Sequence, residues 1–161
     1  TQFEQGEASQ SLNEATFVGN ESCQSCHQEI HTAYLETGMG HSMYLPTKTN
    51  LPELATNYKP VYDDFTDFHY QFLWENDSLY LKEFRLESAD TTYVRKEKVD
   101  YVIGSGKKTR SFLIHKNGFL YEAPITWYSQ KKIFDLSPGY ENGNNSRFSR
   151  EISPTCISCH T

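Results

Sequence analysis

Apolar and aromatic residues are concentrated in two pairs of short segments in the middle of the chain. The first pair is residues 68–74 and 79–86, which enclose polar turn residues. The second pair is residues 111–115 and 119–123, which enclose Lys116-Asn117-Gly118. Short runs of this kind bounded by turn residues are typical of strands, and Asn-Gly is among the strongest hairpin signals. The pattern therefore predicts two β-hairpins.

A helix is predicted over residues 23–36, because apolar side chains recur there at helical spacing. The recurring positions are Ile30, Ala33 and Tyr34. Asn20 or Ser22 can cap the N-terminus of this helix. Residues 1–16 are mostly polar, and this composition predicts an arm without a core of its own. Residues 17–161 predict a single domain, since a chain of this length usually forms one.

The remaining segments are less regular. Glycine and proline interrupt residues 38–60, which predicts a long loop. Residues 93–94 and 99–103 predict a further strand, whereas residues 124–154 predict irregular chain. The expected fold class is therefore α+β, with a short N-terminal helix, two β-hairpins and much irregular loop.

Charge and hydropathy limit the classes of partner. The 161-residue chain carries a formal net charge of −6 at pH 7, which disfavours binding to nucleic acid. No run of about 18 apolar residues is present, so we expect no integral membrane span.

Two copies of one short motif stand near the ends of the chain. Residues 23–27 and 156–160 both read C-x-x-C-H, and together they contain all four cysteines. This spacing is the attachment signature of c-type haem: two thiols bond to the porphyrin and the adjacent imidazole binds the iron. We therefore expect two covalently bound haem c groups, the first on the N-terminal helix and wrapped by the long loop. The expected attachment residues are Cys23, Cys26, Cys156 and Cys159, and the expected iron ligands are His27 and His160.

Two other uses of cysteine pairs fit the sequence less well. A zinc site built from two such pairs normally has a short insert, whereas almost the whole chain separates Cys26 from Cys156. A redox C-x-x-C would need a surrounding βαβ pattern and leaves the repeated histidine unexplained. No cysteine remains for a structural disulfide.

The expected location is the periplasm or the outside of the cell. Haem c is attached after export, and the chain opens at Thr1 with a polar stretch instead of a signal peptide. We therefore expect a mature chain from which a leader was removed.

Each iron needs a second axial ligand if its haem only carries electrons. His69 interrupts an aromatic run and His115 ends an apolar one, and a buried imidazole there needs a partner that iron can supply. His31 lies four residues after His27 on the same helix face, so it could bind only the neighbouring iron. Further candidates in the long loop are His41, Met39 and Met43. A solvated histidine or ordinary packing is the alternative for each of these residues.

Six basic residues cluster in this otherwise acidic chain. A cluster of this kind is either a solvated strand face or a surface that pairs with haem propionates or with an acidic redox partner. The residues are Arg95, Lys96, Lys98, Lys107, Lys108 and Arg110.

Several segments resemble multihaem c-type cytochromes related to the cytochrome c554 family, some of which belong to large bacterial proteins with tetratricopeptide repeats. The similar segments are residues 17–23, Thr37-Gly38-Met39, and residues 103–106, 125–130, 138–140 and 147–150. The resemblance implies electron transfer between closely spaced haems, and it implies that Met39 or a histidine of the same loop faces an iron. Members of this family often have a histidine where Met39 stands, and often continue into further haem motifs.

We therefore expect an electron-transfer dihaem cytochrome that performs no bond chemistry of its own. The alternatives are a dihaem peroxidase or nitrogen-oxide reductase, with one open iron face beside acid–base groups, and a haem sensor module. Expected partners are redox cytochromes or copies of this chain. Both motifs lie near chain ends, where exposed haem edges could stack into a homo-oligomer or filament.

Overall fold

The computed structural model describes Gly19 and residues 21–55, 58–88 and 90–157. These residues are mostly β-structure, with 43% in strands and 15% in helices. The expected α+β class, with its long haem-wrapping loop, is therefore wrong. The chain divides into two compact units, Thr1–Ala33 and Tyr34–Thr161. The predicted polar arm, residues 1–16, lies outside the described residues.

The N-terminal helix is shorter and more broken than the pattern predicts. α1 spans Glu21–Gln24, α2 spans Gln28–Leu35, and the chain turns at Ser25 and Cys26 between them. Neither helix has a buried residue, so packing does not stabilise one continuous helix. Ser22 lies inside α1 instead of before it, and Asn20 is not among the described residues. No helix in the described part of the chain is long and apolar enough to cross a membrane.

All nine strands of the described residues lie in the second unit, where they form two antiparallel sheets. In chain order the strands are β1 Met43–Tyr44, β2 Val61–Asp63, β3 Phe68–Glu75, β4 Ser78–Glu87, β5 Asp90–Lys98, β6 Tyr101–Ile103, β7 Thr109–Lys116, β8 Phe119–Tyr128 and β9 Ile133–Leu136. One sheet has the order β1-β6-β7-β8-β9, and the other has the order β2-β3-β4-β5. A third short helix, α3, spans Pro154–Ile157.

Both predicted hairpins are present, as β3–β4 and β7–β8. Each turn has two central residues with positive φ. These are Asn76 and Asp77 at 45° and 61° in the first turn, and Asn117 and Gly118 at 52° and 84° in the second. This combination is the type I′ turn, whose twist matches that of the flanking strands and which favours Asn, Asp and Gly. The turn residues therefore determine the register of both hairpins.

The core lies between the two sheets. The ring of Phe72 on β3 lies 4.3 Å from that of Phe112 on β7 and 5.4 Å from that of Phe134 on β9, measured between centroids. Leu51 is 1% exposed and joins the same core just before the 3₁₀ helix Pro52–Ala55. Part of the predicted loop over residues 38–60 is therefore held by hydrophobic burial instead of remaining irregular.

Residues 124–154 are also more regular than predicted. β8 continues through Pro124 to Tyr128 and pairs with β9. The register between β7 and β8 shifts between Ser111 and Leu113. Such an irregularity can accommodate proline, which has no N–H to donate to the neighbouring strand. The prediction of irregular chain from residue 124 is therefore wrong for residues 124–128 and 133–136.

The strand predicted over residues 93–94 and 99–103 separates into β5 and β6, which belong to different sheets. β5 is an edge strand whose residues are mostly exposed and charged, a composition typical of sheet edges. β6 instead places Val102 in the core. The apolar pattern of the sequence therefore indicates β6 more clearly than β5.

Candidate haem-attachment sites

The first C-x-x-C-H motif begins at the end of α1 and continues through the turn that leads into α2. The N–H of His27 donates to the carbonyl oxygen of Cys23 over 3.0 Å, and the N–H of His31 donates to that of His27 over 2.9 Å. The first of these bonds closes one helical turn, so Cys23, Cys26 and His27 lie at neighbouring positions on it. Both thiols are free and exposed, and the imidazole of His27 is exposed as well. The three side chains are therefore accessible to a porphyrin.

His31 has an unusual environment for a helix histidine. Both of its ring nitrogens are shielded from solvent, and neither has a hydrogen-bond partner among the described residues. Leaving a buried polar group unpaired costs about 1–3 kcal/mol. A metal ion or hydrogen-bond donor that bound a ring nitrogen of His31 would remove this cost. Because His31 lies one turn after His27, it cannot bind the same iron from the opposite side.

The second motif begins in α3. The N–H of Cys156 donates to the carbonyl oxygen of Ser153 over 3.0 Å. Pro154 occupies the first position of the helix, where its missing N–H has no cost. Cys156 is free and exposed. Cys159 and His160, which complete the motif, lie outside the described residues.

Met39 and His41 lie in a loop after α2 whose path depends on close backbone contacts. The hydroxyl of Thr37 donates to the carbonyl oxygen of Tyr34 over 2.6 Å and accepts from the N–H of Gly40 over 3.0 Å. A Cβ atom on Gly40 would lie 2.2 Å from the same carbonyl oxygen. Only glycine therefore fits between the two predicted ligands. The other loop methionine, Met43, is half-buried in β1.

The loop borders two cavities beside the segment that connects β6 and β7. Met39 lines a cavity of about 470 Å³ together with Lys107 and Lys108. His41 lines a cavity of about 340 Å³ together with Lys107 and Arg110. The structure therefore brings two predicted ligands next to half of the predicted basic cluster.

The other half of that cluster lies on β5. Arg95, Lys96 and Lys98 each form an ion pair over 2.5 to 3.5 Å. The three carboxylates lie on β5, on β3 and just after β5, in that order. Such pairs at a strand surface usually contribute less than about 1 kcal/mol, which fits the solvated-face alternative. Lys107 and Lys108, by contrast, make no ion pair with any residue that the structure describes. These two lysines are therefore the better candidates for pairing with a haem propionate.

Arg110 is already neutralised by Glu53. Its Nη1 donates to both carboxylate oxygens over 2.5 and 2.6 Å, and the Glu53 side chain is 5% exposed. Burial opposes the charge on Arg110, but the hydrogen bonds to Glu53 prevail and raise the pKa of the guanidinium. Burial also raises the pKa of Tyr44, which lies beside it. Arg110 is thus less available than Lys107 to an incoming anion.

The two strand histidines differ in accessibility. His69 lies between Tyr62 and Phe84 of the neighbouring strands, with ring centroids 4.7 and 5.2 Å away. Its Nδ1 is shielded and has no partner within the part of the chain that the structure describes. His115 is exposed near the end of β7, and its backbone N–H donates to a carboxylate oxygen of Asp100 over 2.8 Å. The ring of His69 is held by stacking, whereas that of His115 faces solvent.

A buried polar network around Glu83 was not predicted. Glu83 is 0% exposed, and its carboxylate accepts hydrogen bonds from the Tyr70 hydroxyl over 2.9 Å and from the Arg147 guanidinium. Burial, reinforced by the charge of Glu83, raises the pKa of Tyr70. The sequence does contain a signal for this site. Leu79 and Leu81 face the core, and Glu83 follows them with the period of two that keeps a strand residue on one face.

The residues of the motifs fit haem c. The described part offers exposed free thiols and an exposed imidazole at His27, which match the thioether and nitrogen chemistry of a c-type haem. The shielded, unpaired ring nitrogens of His31 are available only to a neighbouring iron. Within the described ranges, no group of three or more His, Cys, Asp or Glu side chains is placed to hold a metal ion.

No family model matches this chain, no curated protein matches it, and no solved structure matches it. The motif residues and their surroundings are therefore the features that indicate function. The similarity to cytochromes of the c554 family stays a prediction.

Proposed function

We propose that this protein is an electron-transfer cytochrome that holds two haem c groups and performs no bond chemistry of its own. The observation that supports this proposal most directly is the use of cysteine. All four cysteines belong to the two C-x-x-C-H motifs, and the three that the structure describes are free and exposed. Bound haem would supply one-electron oxidation and reduction.

The chain itself would hold the cofactors and provide ligands to iron. Cys23 and Cys26 would bind one porphyrin, and His27 would bind its iron from one side. Cys156, Cys159 and His160 would do the same for the second haem. Candidates for the opposite side are His31, His41, His69, His115 and Met39. The choice between imidazole and thioether, and the burial around each ring, would set the two potentials.

The coordination state distinguishes this proposal from an enzyme or a sensor. Two six-coordinate low-spin haems that do not bind carbon monoxide support electron transfer. A high-spin haem that binds it would instead support a dihaem peroxidase, a nitrogen-oxide reductase or a haem sensor, because each of these needs an open iron face.

The proposal includes a location and a class of partner. Haem c attachment takes place after export, which favours the periplasm or the cell exterior. The resemblance to the cytochrome c554 family favours a redox cytochrome or another copy of this chain as partner. Assembly into a filament stays a prediction.

The experiment is intact-mass measurement of protein produced in a host that attaches haem c. We expect a mass increase of two haems that survives acid–acetone extraction. The double variant Cys23→Ala/Cys26→Ala should lose one haem, and Cys156→Ala/Cys159→Ala should lose the other. Ser25→Ala, between two attachment thiols, is the matched control and should keep both. Wild-type protein without covalent haem would overturn the proposal, and a single adduct would overturn the assignment of two haems.

A further inference from the structure

An apolar cavity lies between the tip of the β7–β8 hairpin and the chain that enters α3. Its volume is about 400 Å³, within the range of about 300–1,000 Å³ that is typical of ligand and cofactor sites. Its apolar lining comes from Phe119, Leu120, Ile152, Pro154 and Ile157. Phe119 is 51% exposed, so a large aromatic side chain borders this cavity and faces solvent.

The walls of the cavity are held together by backbone hydrogen bonds. The N–H of Ile152 donates to the carbonyl oxygen of Leu120 over 2.8 Å, and the N–H of Glu122 donates to that of Arg150 over 2.9 Å. Tyr121 and Glu151 form an antiparallel bridge between these two bonds. The chain before α3 therefore pairs with β8 like a short additional strand, and the cavity has a defined shape.

The second haem motif starts at the wall of this cavity. Cys156 is the exposed thiol of α3, and it lies between Pro154 and Ile157, which both line the cavity. A flat apolar group bonded to Cys156 would therefore be tethered beside a mostly apolar surface. Burial of that surface would stabilise the attached group, because it removes apolar area from water.

His115 is not itself a lining residue, but on β7 it is the cross-strand neighbour of Leu120, which lines the cavity. In the register of β7 and β8 it is paired with Leu120, so the two side chains project from the same face of the hairpin. Directly paired residues of antiparallel strands have Cβ atoms about 4.5–5.5 Å apart. The imidazole of His115 is exposed and thus can turn toward a group in the cavity.

We propose that this cavity is the seat of the porphyrin that Cys156 tethers, and that His115 is the second iron ligand of that haem. The inference rests on the proposed function and adds to it the surface that covers one ring and the side chain that completes its coordination. It also separates His115 from His69, which is stacked between two aromatic rings on the other sheet.

The first test concerns the ligand. His115→Ala should convert one of the two haems from low-spin to high-spin and create one carbon monoxide site per protein, with both covalent haems retained. His115→Met should restore six-coordination at that haem with a higher midpoint potential, because a thioether favours the reduced iron. Lys116→Ala, one residue farther along β7, is the control and should keep two low-spin haems.

The second test concerns the cavity wall. Phe119→Ala should lower the midpoint potential of one haem and leave the other unchanged, because loss of apolar cover exposes that haem to water. Phe65→Ala removes an aromatic ring that is 62% exposed elsewhere and should change neither potential.

The outcomes distinguish this inference from the proposed function. Two low-spin haems in His115→Ala, or unchanged potentials in Phe119→Ala, would overturn the inference although the protein remains a dihaem cytochrome. Absence of covalent haem from the wild-type protein would contradict the proposed function itself.

Discussion

Glu83 and Arg147 connect the four-stranded sheet with the chain that leads to the second motif. The Nε of Arg147 donates to Glu83 over 2.9 Å, and the guanidinium lies 4.4 Å from the ring centroid of Phe68. Three residues later, Arg150 donates to the carbonyl oxygen of Pro138 over 2.7 Å and to that of Gly139 over 2.8 Å. These two arginines hold the segment that precedes α3, so their contacts also position Cys156.

We predict that Glu83→Gln lowers the free energy of unfolding by about 3 kcal/mol, because it removes the negative charge from a fully buried partner of Arg147. Glu75→Gln is the matched control. The Glu75–Lys96 pair is more than a third exposed on both sides, so its loss should cost less than about 1 kcal/mol. Urea unfolding of both variants provides the comparison. Equal small losses would show that Glu83 and Arg147 do not act as a buried pair.

The loop after α2 is the element in which backbone shape matters most for the candidate site. Gly40 stands between Met39 and His41, and its Cα is so close to the preceding chain that an added Cβ would also lie 2.9 Å from the Cα of Leu35. Gly38, in contrast, has no atom nearer to such a Cβ than the Ser105 hydroxyl oxygen at 3.8 Å. The backbone leaves no room for a side chain at Gly40, whereas Gly38 has room for a methyl group.

We predict that Gly40→Ala lowers the free energy of unfolding by about 1–3 kcal/mol, because the backbone around residues 34–35 must move to admit the methyl group. Gly38→Ala should change it by less than about 0.5 kcal/mol, since 3.8 Å is an ordinary contact. Thermal unfolding of the two variants measures the difference. If Gly40→Ala is as stable as Gly38→Ala, the contact with the Tyr34 carbonyl oxygen does not constrain this loop.

Across the whole molecule, buried tyrosines link stability to alkaline pH. Burial raises the pKa of Tyr140 to about 12, whereas a solvated tyrosine has a pKa of 10.0. Burial also raises the pKa of Tyr58 and Tyr70. The native state therefore retains these protons at a pH where the unfolded chain loses them. The resulting stabilisation is complete below pH 10 and is lost as the pH rises through the native pKa.

We predict that the free energy of unfolding decreases between pH 10 and pH 12, the interval set by Tyr140. The slope should reach about 1.4 kcal/mol per pH unit for each tyrosine that ionises only on unfolding. Tyr140→Phe should reduce this slope, whereas Tyr34→Phe, at an exposed position, should leave it unchanged. Urea unfolding at a series of pH values measures the slopes. An unaltered slope in Tyr140→Phe would contradict the role of its burial.

Local features of this protein were predictable from neighbouring residues. The two hairpins follow from turns such as Asn117-Gly118, whose backbone preference depends only on the turn residues. The C-x-x-C-H motifs are equally local, because the proposed haem attachment needs two thiols and an imidazole within five residues. For the same reason the sequence identifies candidate ligands but does not choose among His31, His41, His69 and His115.

The sequence alone determined the two C-x-x-C-H motifs, at which we propose haem attachment, and the turns at which the chain reverses, since both depend on residues within a short stretch. The tertiary structure alone decided that β5 and β6 enter different sheets, that Glu83 is buried against Arg147, and that Lys107 lies beside the loop of Met39 and His41. The physical reason is that these features join residues far apart in the chain. Their stability comes from sheet pairing and shared burial, which local patterns of polarity do not specify.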